Sequence, residues 1–327
     1  MQALQLQSAG SWGDVNHLTC RGSAIAKLSG LCGIGILMSM MVVATVQPKP
    51  NEGSFAVSGA AVNTGTSWRD RLLDPARAVG SYGGVSYTHP DVVRIKKPDG
   101  EITVRNFDWI GQPFKAPVYY GARIWRWGGL GQTGTMVDFT HAKAIAKSDS
   151  VATFSGTRNG QALPQKAPIK DVFSKLEFSH GHNMLTYNGL FRFGSLFGWV
   201  KPYVGAGAGV SLPHSEIGFA KDNARTYEYH FAGFVGQGIA GLEIDLGRAS
   251  LFLEYKFTYA PHDIPLSHEQ DGTVLPHDLW RQFSAWWRGE EPPGGRLGVN
   301  LMSHHGIAGV MIKTGLVKAG PPGVAAP

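Results

Sequence analysis

Apolar and polar residues alternate in segments along the chain from about residue 77 onward. In the segment NMLTYNGLFRF (183–193), Leu185, Tyr187 and Phe191 share one parity, whereas Thr186 and Arg192 share the other. A period of two residues is typical of a β-strand with one apolar and one polar face. Similar segments predict eight strands, at about 77–89, 116–127, 133–145, 183–195, 199–212, 226–245, 248–261 and 298–314.

The connections between the predicted strands alternate in length. Those after the second, fourth and sixth strands are short, whereas the others are long, at about 90–115, 146–182, 213–225 and 262–297. Such alternation is typical of outer-membrane barrels, which have tight periplasmic turns and long external loops. The sequence therefore predicts an all-β fold, an eight-stranded antiparallel up-and-down outer-membrane β-barrel over 77–315 with long external loops. Inside the first loop, 94–107 predicts a hairpin that turns at Pro98-Asp99-Gly100.

The two parities of the strands differ in chemistry. One parity is apolar and suits lipid, with Val137, Leu185, Leu242 and Leu253 among its members. The other parity carries charges that would share the barrel interior: Arg123, Asp138, Arg192, Glu243, Glu254 and Lys256. A balanced interior network makes a narrow barrel a plug of side chains. A soluble lipocalin-like barrel, the alternative, would show the reverse parity.

The N-terminus reads as an export signal. Arg21 and Lys27 precede an apolar run over 28–43, and Ala44 closes a stretch of small residues suited to a signal peptidase. We therefore predict a signal peptide at 1–44, a periplasmic N-terminal lead at 45–76, a flexible tail at 316–327 and localisation in the bacterial outer membrane. An uncleaved anchor is the alternative for 1–44. The net charge of +6 suits an anionic lipid or saccharide, and no nucleic-acid motif occurs.

Histidine is the main candidate for chemistry. Of the twelve histidines, only His17 lies in the predicted signal peptide, and the other eleven all map toward the external ends of the strands. Imidazole binds metals and titrates near neutral pH. We predict His180, His182 and His214 as ligands of a divalent metal ion, with the cofactor otherwise unknown. We also predict four acid–base residues: His141, Lys143, Glu216 and Glu228. Plain interfacial histidines are the alternative.

Several sequence segments together resemble those of a known family. They include VSYTHPDVVRI (85–95), MVDFTHAKA (136–144), GHNMLTYNGLFRF (181–193), PYVGAGAGVSLPHSEI (202–217) and FLEYKFTY (252–259). They are similar to the outer-membrane barrels that include rhizobial lipid A oxidase. The resemblance implies an enzyme of the outer leaflet with lipid A, the lipid of lipopolysaccharide, as its partner. It implies oxidation of the proximal glucosamine to 2-aminogluconate with molecular oxygen.

Two other functions stay open at the level of sequence. A lipid A deacylase on a similar barrel would carry a His-x-Ser pair on one strand, and no histidine here is followed two residues later by serine. A non-catalytic surface or structural barrel of the outer membrane is compatible with every pattern described above.

Overall fold

The computed structural model describes residues 77–97, 100–128, 131–267 and 274–314. The predicted signal peptide, the lead and the tail lie outside these residues. In chain order the strands are β1 (Arg77–Thr88), β2 (Val93–Lys97), β3 (Gly100–Arg105), β4 (Trp109–Ile110), β5 (Tyr120–Trp127), β6 (Thr133–Ala146), β7 (Val151–Arg158), β8 (Gln161–Ala162), β9 (Lys166–Pro168), β10 (Phe173–Arg192), β11 (Val200–Ser211), β12 (His214–Phe219), β13 (Arg225–Tyr229), β14 (Gly233–Asp245), β15 (Ala249–Pro265) and β16 (Arg296–Lys313). The helices are α1 (Ile169–Val172) and α2 (Leu275–Trp287).

Eight of the strands form a closed antiparallel ring. Its order is β1, β5, β6, β10, β11, β14, β15 and β16, and pairing of β16 with β1 closes it. Each strand pairs with the next ring strand along the chain, which is the up-and-down arrangement. The connections from β5 to β6, β10 to β11 and β14 to β15 are short, and the others are long. The predicted all-β barrel and its alternation of connections are confirmed.

The long connections contain more regular secondary structure than the single hairpin that the sequence predicted. They contain β2 to β4, β7 to β9, β12, β13 and both helices, and the predicted hairpin at 94–107 is present as β2 paired with β3. We call the region beyond the ring, at the end opposite the short turns, the cap. It consists of the described residues of 89–119, 147–172, 212–232 and 266–295, together with the ends of β10, β15 and β16 that extend beyond the ring. Inside the cap an apolar core includes Val93, Ile95, Ile102, Phe154, Phe173, Phe178, Ile217 and Leu297.

The interior of the ring is layered from the short-turn end toward the cap. Trp125, Tyr203 and Phe252 pack in an aromatic layer near the short turns. Above them lies a buried ion network. In this network, the Arg123 guanidinium donates to both carboxylate oxygens of Glu254 at 2.9 and 3.0 Å and to Asp138 at 3.2 Å. These contacts confirm the predicted charged interior.

Two further groups complete the ion network. The Lys256 ammonium donates to Asp138 at 2.5 Å and to the Tyr82 hydroxyl at 2.8 Å, and the Tyr203 hydroxyl donates to Glu254 at 2.6 Å. The charges of Lys256, Asp138, Arg123 and Glu254 thereby balance inside the ring. Such pairing is what makes buried charges tolerable.

The exterior of the ring is apolar. Exposed large apolar side chains occur on all eight ring strands, among them Val79, Ile124, Val137, Leu185, Phe191, Val204, Leu242, Leu253 and Ile312. Among the described residues, neither helix is long and apolar enough to cross a membrane.

Candidate functional site

A bulge in β10 separates the two histidines of the sequence Phe178-Ser179-His180-Gly181-His182. Phe178 pairs with Ala144 and His182 pairs with Ala142, so three residues of β10 lie opposite one residue of β6. Gly181 adopts a φ of 136°, which favours glycine, and a side chain there would meet the His141 ring at 2.8 Å. The bulge therefore directs His180 to the outer face, whereas His182 faces the interior.

On the outer face, His180 lies in a row of polar and aromatic side chains. Its ring centroid is 5.2 Å from that of His214, and its Nε2 is 3.2 Å from the Tyr227 hydroxyl. On the other side, His141 hydrogen-bonds Asn183 through Nδ1 at 2.8 Å. This row is called the rim patch and consists of Tyr120, His141, Lys143, His180, Asn183, His214 and Tyr227.

His141 and Lys143 share the outward parity of Val137 and Phe139 on β6, but neither side chain is exposed. Tyr120 stacks on His141 with ring planes 18° apart, and His141 is only 4% exposed. The Lys143 ammonium donates to the Lys115 carbonyl at 2.8 Å. Among these groups, His180 and Tyr120 form the exposed surface, and His141 and Lys143 form the layer beneath it.

Two imidazole nitrogens of the rim patch are buried without a hydrogen-bond partner among the described residues. They are Nε2 of His141 and Nδ1 of His214. A buried polar atom without a partner is costly, and such atoms concentrate where a ligand or a reacting group completes the bonding. The His214 ring lies against the exposed His180, and the His141 ring lies against Gly181, the next residue in the chain, which makes this the strongest candidate site on the outer face.

Charged residues border the rim patch on β10, β12 and β13. Glu216 pairs with Arg225 and lies 3.9 Å from the Lys175 ammonium, which also contacts Glu177 at 3.2 Å. Burial raises the pKa of the Glu216 carboxyl, and the charge of Lys175 opposes that rise. Glu216 is therefore a buried, ion-paired carboxyl on the outer face, beside the rim patch.

The other predicted metal ligand, His182, belongs to the interior. It is buried with its ring 5.0 Å from that of His262, whose Nε2 hydrogen-bonds the Ser211 hydroxyl at 2.9 Å. Farther into the ring, His305 bonds Tyr119 and Thr258, each at 3.0 Å. His304 faces outward, as expected for consecutive strand residues. The predicted ring of histidines is thus divided between two faces of the barrel wall.

Glu228 also faces inward, away from the rim patch. It is 2% exposed and forms an ion pair with Arg281 of α2. A cavity of about 440 Å³ between α2 and the sheet is lined by Glu228, Arg281 and Gln282, among others. Opposite His214 lies Tyr229 and opposite His141 lies Asn183, so Glu228 points to the other face from His214, and His182 points to the other face from His141.

The donors around His180 do not make up a metal site. His180 and His214 are neighbours, but His182 is on the other face of the wall. Within the described ranges, no group of three or more histidine, cysteine, aspartate or glutamate residues has the geometry to hold a metal ion. The structure therefore unites His141, Lys143, His180, His214 and Glu216 of the predicted set, and leaves out His182 and Glu228.

Several residues of the patch and its border were missed at the level of sequence: Tyr120, Lys175, Arg225 and Tyr227. Tyr120 lies at the start of β5 and shares the outward parity of Ala122 and Ile124, so strand parity alone indicates it. The other three lie on the hairpin of β12 and β13 or on the β10 segment that pairs with it. Lys175 and Arg225 lay in predicted loops, and Tyr227 lay at the start of the strand predicted at 226–245, where no pattern linked it to the histidines.

Burial of His230 and His214 makes the cap sensitive to acid. Burial lowers the pKa of His230 to about 3 and that of His214 to about 4, and a neighbouring imidazole acts in the same direction on each. His230 is held by the Ser215 hydroxyl at 2.7 Å and by Gln282 of α2 at 3.2 Å. In the unfolded chain both histidines titrate near about 6.5.

Cap stability is therefore expected to be full above about pH 6.5 and to fall as the pH drops toward these lowered values. In that window the unfolded cap binds more protons than the folded cap. The equilibrium constant for opening therefore rises about tenfold for each pH unit of acidification and for each histidine. Hydrogen exchange of the β12 and β13 amides, corrected for intrinsic rates, measures this between pH 7 and pH 5. His230→Asn should flatten the dependence. Opening that is independent of pH in the wild type would contradict it.

Comparison of the chain with protein-family models finds no match, and comparison with curated proteins finds none. The resemblance to the lipid A oxidase family therefore stays a prediction.

Proposed function

We propose that this protein is an outer-membrane barrel that binds the headgroup of lipid A at the rim patch and oxidises its proximal glucosamine to 2-aminogluconate. The observation that carries the proposal is the position of the patch. Along the outward face of β6, Val137 and Phe139 are followed directly by His141 and Lys143. In a bilayer, the step from apolar to polar exterior is the level of the headgroups.

The distribution of polarity supports a place in a membrane. The ring carries exposed apolar side chains outside and a hydrogen-bonded ion network inside, with Arg123, Glu254 and Lys256 each no more than 2% exposed. A water-soluble barrel has the reverse arrangement. A closed ring also leaves no unpaired strand edge in lipid, where unpaired backbone groups are costly.

The charges around the rim patch support an anionic headgroup. Basic side chains in and beside it outnumber acidic ones: Lys115, Lys143, Lys175 and Arg225 against Glu177 and Glu216. Lysine and arginine near a membrane surface attract phosphorylated headgroups. Tyr120 and His180 form an exposed amphipathic surface, a type suited to the face of a sugar ring.

In the proposed reaction, His141 accepts the proton of the anomeric hydroxyl at its unpaired Nε2. The C1 hydrogen leaves with the two electrons of the C–H bond, and C1 becomes a lactone carbonyl. O₂ takes up these two electrons, the proton of the C1 hydrogen and the hydroxyl proton, and becomes hydrogen peroxide. Water then opens the lactone to the carboxylate. The substrate gains one oxygen atom overall. Lys143, Lys175 and Arg225 hold the headgroup, whereas Glu216 stays paired with the cations beside it.

One observation favours the second candidate, a non-catalytic surface barrel. His141 and His214 are each 4% exposed, beneath the rings of Tyr120, His180 and Tyr227. A substrate reaches them only if these rings move. A closed patch of this kind also suits a barrel that contacts lipopolysaccharide without changing it.

The mass of lipid A separates these functions. Lipid A from cells that express the protein is compared with lipid A from cells that lack it. Oxidation predicts a species with one additional oxygen atom in the expressing cells only. A lost acyl chain would indicate a deacylase, and identical masses with the protein present and folded would favour the surface barrel.

A further inference from the structure

Helix α2 has an unusual distribution of side chains. Trp280, Phe283 and Trp287 lie three and four residues apart, so they share one face of the helix. They are 68%, 48% and 76% exposed, and the neighbouring Trp286 is 70% exposed. Large aromatic side chains gathered on an exposed face mark a surface for a membrane or a partner.

The opposite, polar face of α2 is held by the protein. The Asp278 carboxylate accepts the Tyr229 backbone N–H at 3.0 Å, and Gln282 donates to the Tyr229 carbonyl at 2.6 Å. Arg281 pairs with Glu228. These contacts satisfy the edge of β13 that does not face β12, and so they fix the helix with its aromatic face outward.

The strand that anchors α2 leads directly to exposed aromatic side chains of the ring. Two residues beyond Tyr229, Phe231 is 49% exposed, and Phe234 at the start of β14 is 73% exposed. At about 3.3 Å per residue, Phe231 lies about 7 Å along the chain from the anchor of the helix. Exposed aromatic side chains therefore occur both on α2 and on the chain that runs from its anchor into β14.

We propose that the aromatic face of α2 lies in the interface of the outer leaflet and anchors the cap to the membrane. Tryptophan is the residue enriched at that level, and helices with one such face lie in the plane of the interface. The inference rests on the proposed location of the ring in a membrane. It assigns to α2 a lipid surface as its partner, and it gives the cap a fixed height above the rim patch.

Spin-label depth tests the inference. In a chain with Cys20→Ser and Cys32→Ser, single variants Phe283→Cys, Leu253→Cys and Lys166→Cys carry a nitroxide and are placed in vesicles of phosphatidylethanolamine and phosphatidylglycerol. Leu253 is the reference on the ring exterior, and Lys166 is the exposed reference on the cap. Collision with O₂, which concentrates in lipid, is compared with collision with a water-soluble nickel chelate. Heat modifiability on gels confirms that each variant is folded.

The label at Phe283 is expected to favour O₂ over the chelate, at a depth between those of the labels at Leu253 and Lys166. A Phe283 label as aqueous as that at Lys166, with Leu253 in lipid, would overturn the inference and leave the membrane barrel standing. Protection of Phe283 from both reagents would overturn it in favour of a protein partner or second copy. An aqueous label at Leu253 would overturn the membrane location itself, and the inference with it.

Discussion

Replacement of Glu254 by leucine is expected to lower the free energy of unfolding of the barrel by about 3–5 kcal/mol. Glu254 accepts two hydrogen bonds from Arg123 and one from the Tyr203 hydroxyl. Without it, Arg123 and Lys256 share the single carboxylate of Asp138 inside the ring. Two buried cations against one anion cannot be balanced, and leucine offers no polar atom in compensation.

Glu254→Gln is expected to cost less, about 1–3 kcal/mol, because the amide oxygen still accepts a hydrogen bond from Arg123 or Tyr203. Asp263→Leu on the same strand is the matched control, since its pair with Arg296 is exposed and should be worth at most about 1 kcal/mol. The temperature at which the folded band disappears from gels ranks the three variants. Equal loss of stability in Glu254→Leu and Asp263→Leu would show that the network is not buried in a dry interior.

His141→Ala is expected to reduce the rate of lipid A oxidation by about 10²–10⁴-fold, the usual contribution of a general base. The barrel should still fold, because the interior network and the cap core do not contact this residue. His304→Ala is the matched control. It removes another outward histidine, on β16, which contacts His89 and Tyr255 rather than the rim patch.

The rate is measured as conversion of lipid A in membranes that hold equal amounts of folded variant. His141→Ala at the wild-type rate would remove His141 from the reaction. Equal losses in His141→Ala and His304→Ala would indicate a general effect of the outer surface rather than a base at the rim patch.

The ring of the fold followed from the sequence because period-two alternation is strongest where one face of a strand lines an ion network and the other face carries exposed apolar side chains. Leu253 and Glu254 on β15 show that contrast in adjacent positions, and the predicted strand at 248–261 starts one residue before β15 and ends four residues before its end. On β6, His141 shares the parity of the apolar Val137, so the same contrast indicates its outward direction. In the cap, strands are short and alternation is weak, so β7 and β12 were read as loop, and β13 was merged with β14 in one predicted strand at 226–245.

The site was only partly predictable for a geometric reason. The bulge at Gly181 places three residues of β10 opposite one of β6, which reverses the side to which His180 points relative to simple alternation. Glycine in a strand signals such a bulge, but not its size. Likewise, β13 ends at Tyr229 and β14 begins only at Gly233, so alternation counted back from β14 does not give the direction of Glu228, and its partner on α2 could not be found from spacing.

The most direct test of the account uses purified wild-type protein and His141→Ala in vesicles that contain lipid A, incubated in air and under nitrogen. The account predicts that lipid A gains one oxygen atom only with the wild type and only in air, with one hydrogen peroxide released for each product. Unchanged lipid A in air, with the wild-type barrel folded and inserted, would contradict it.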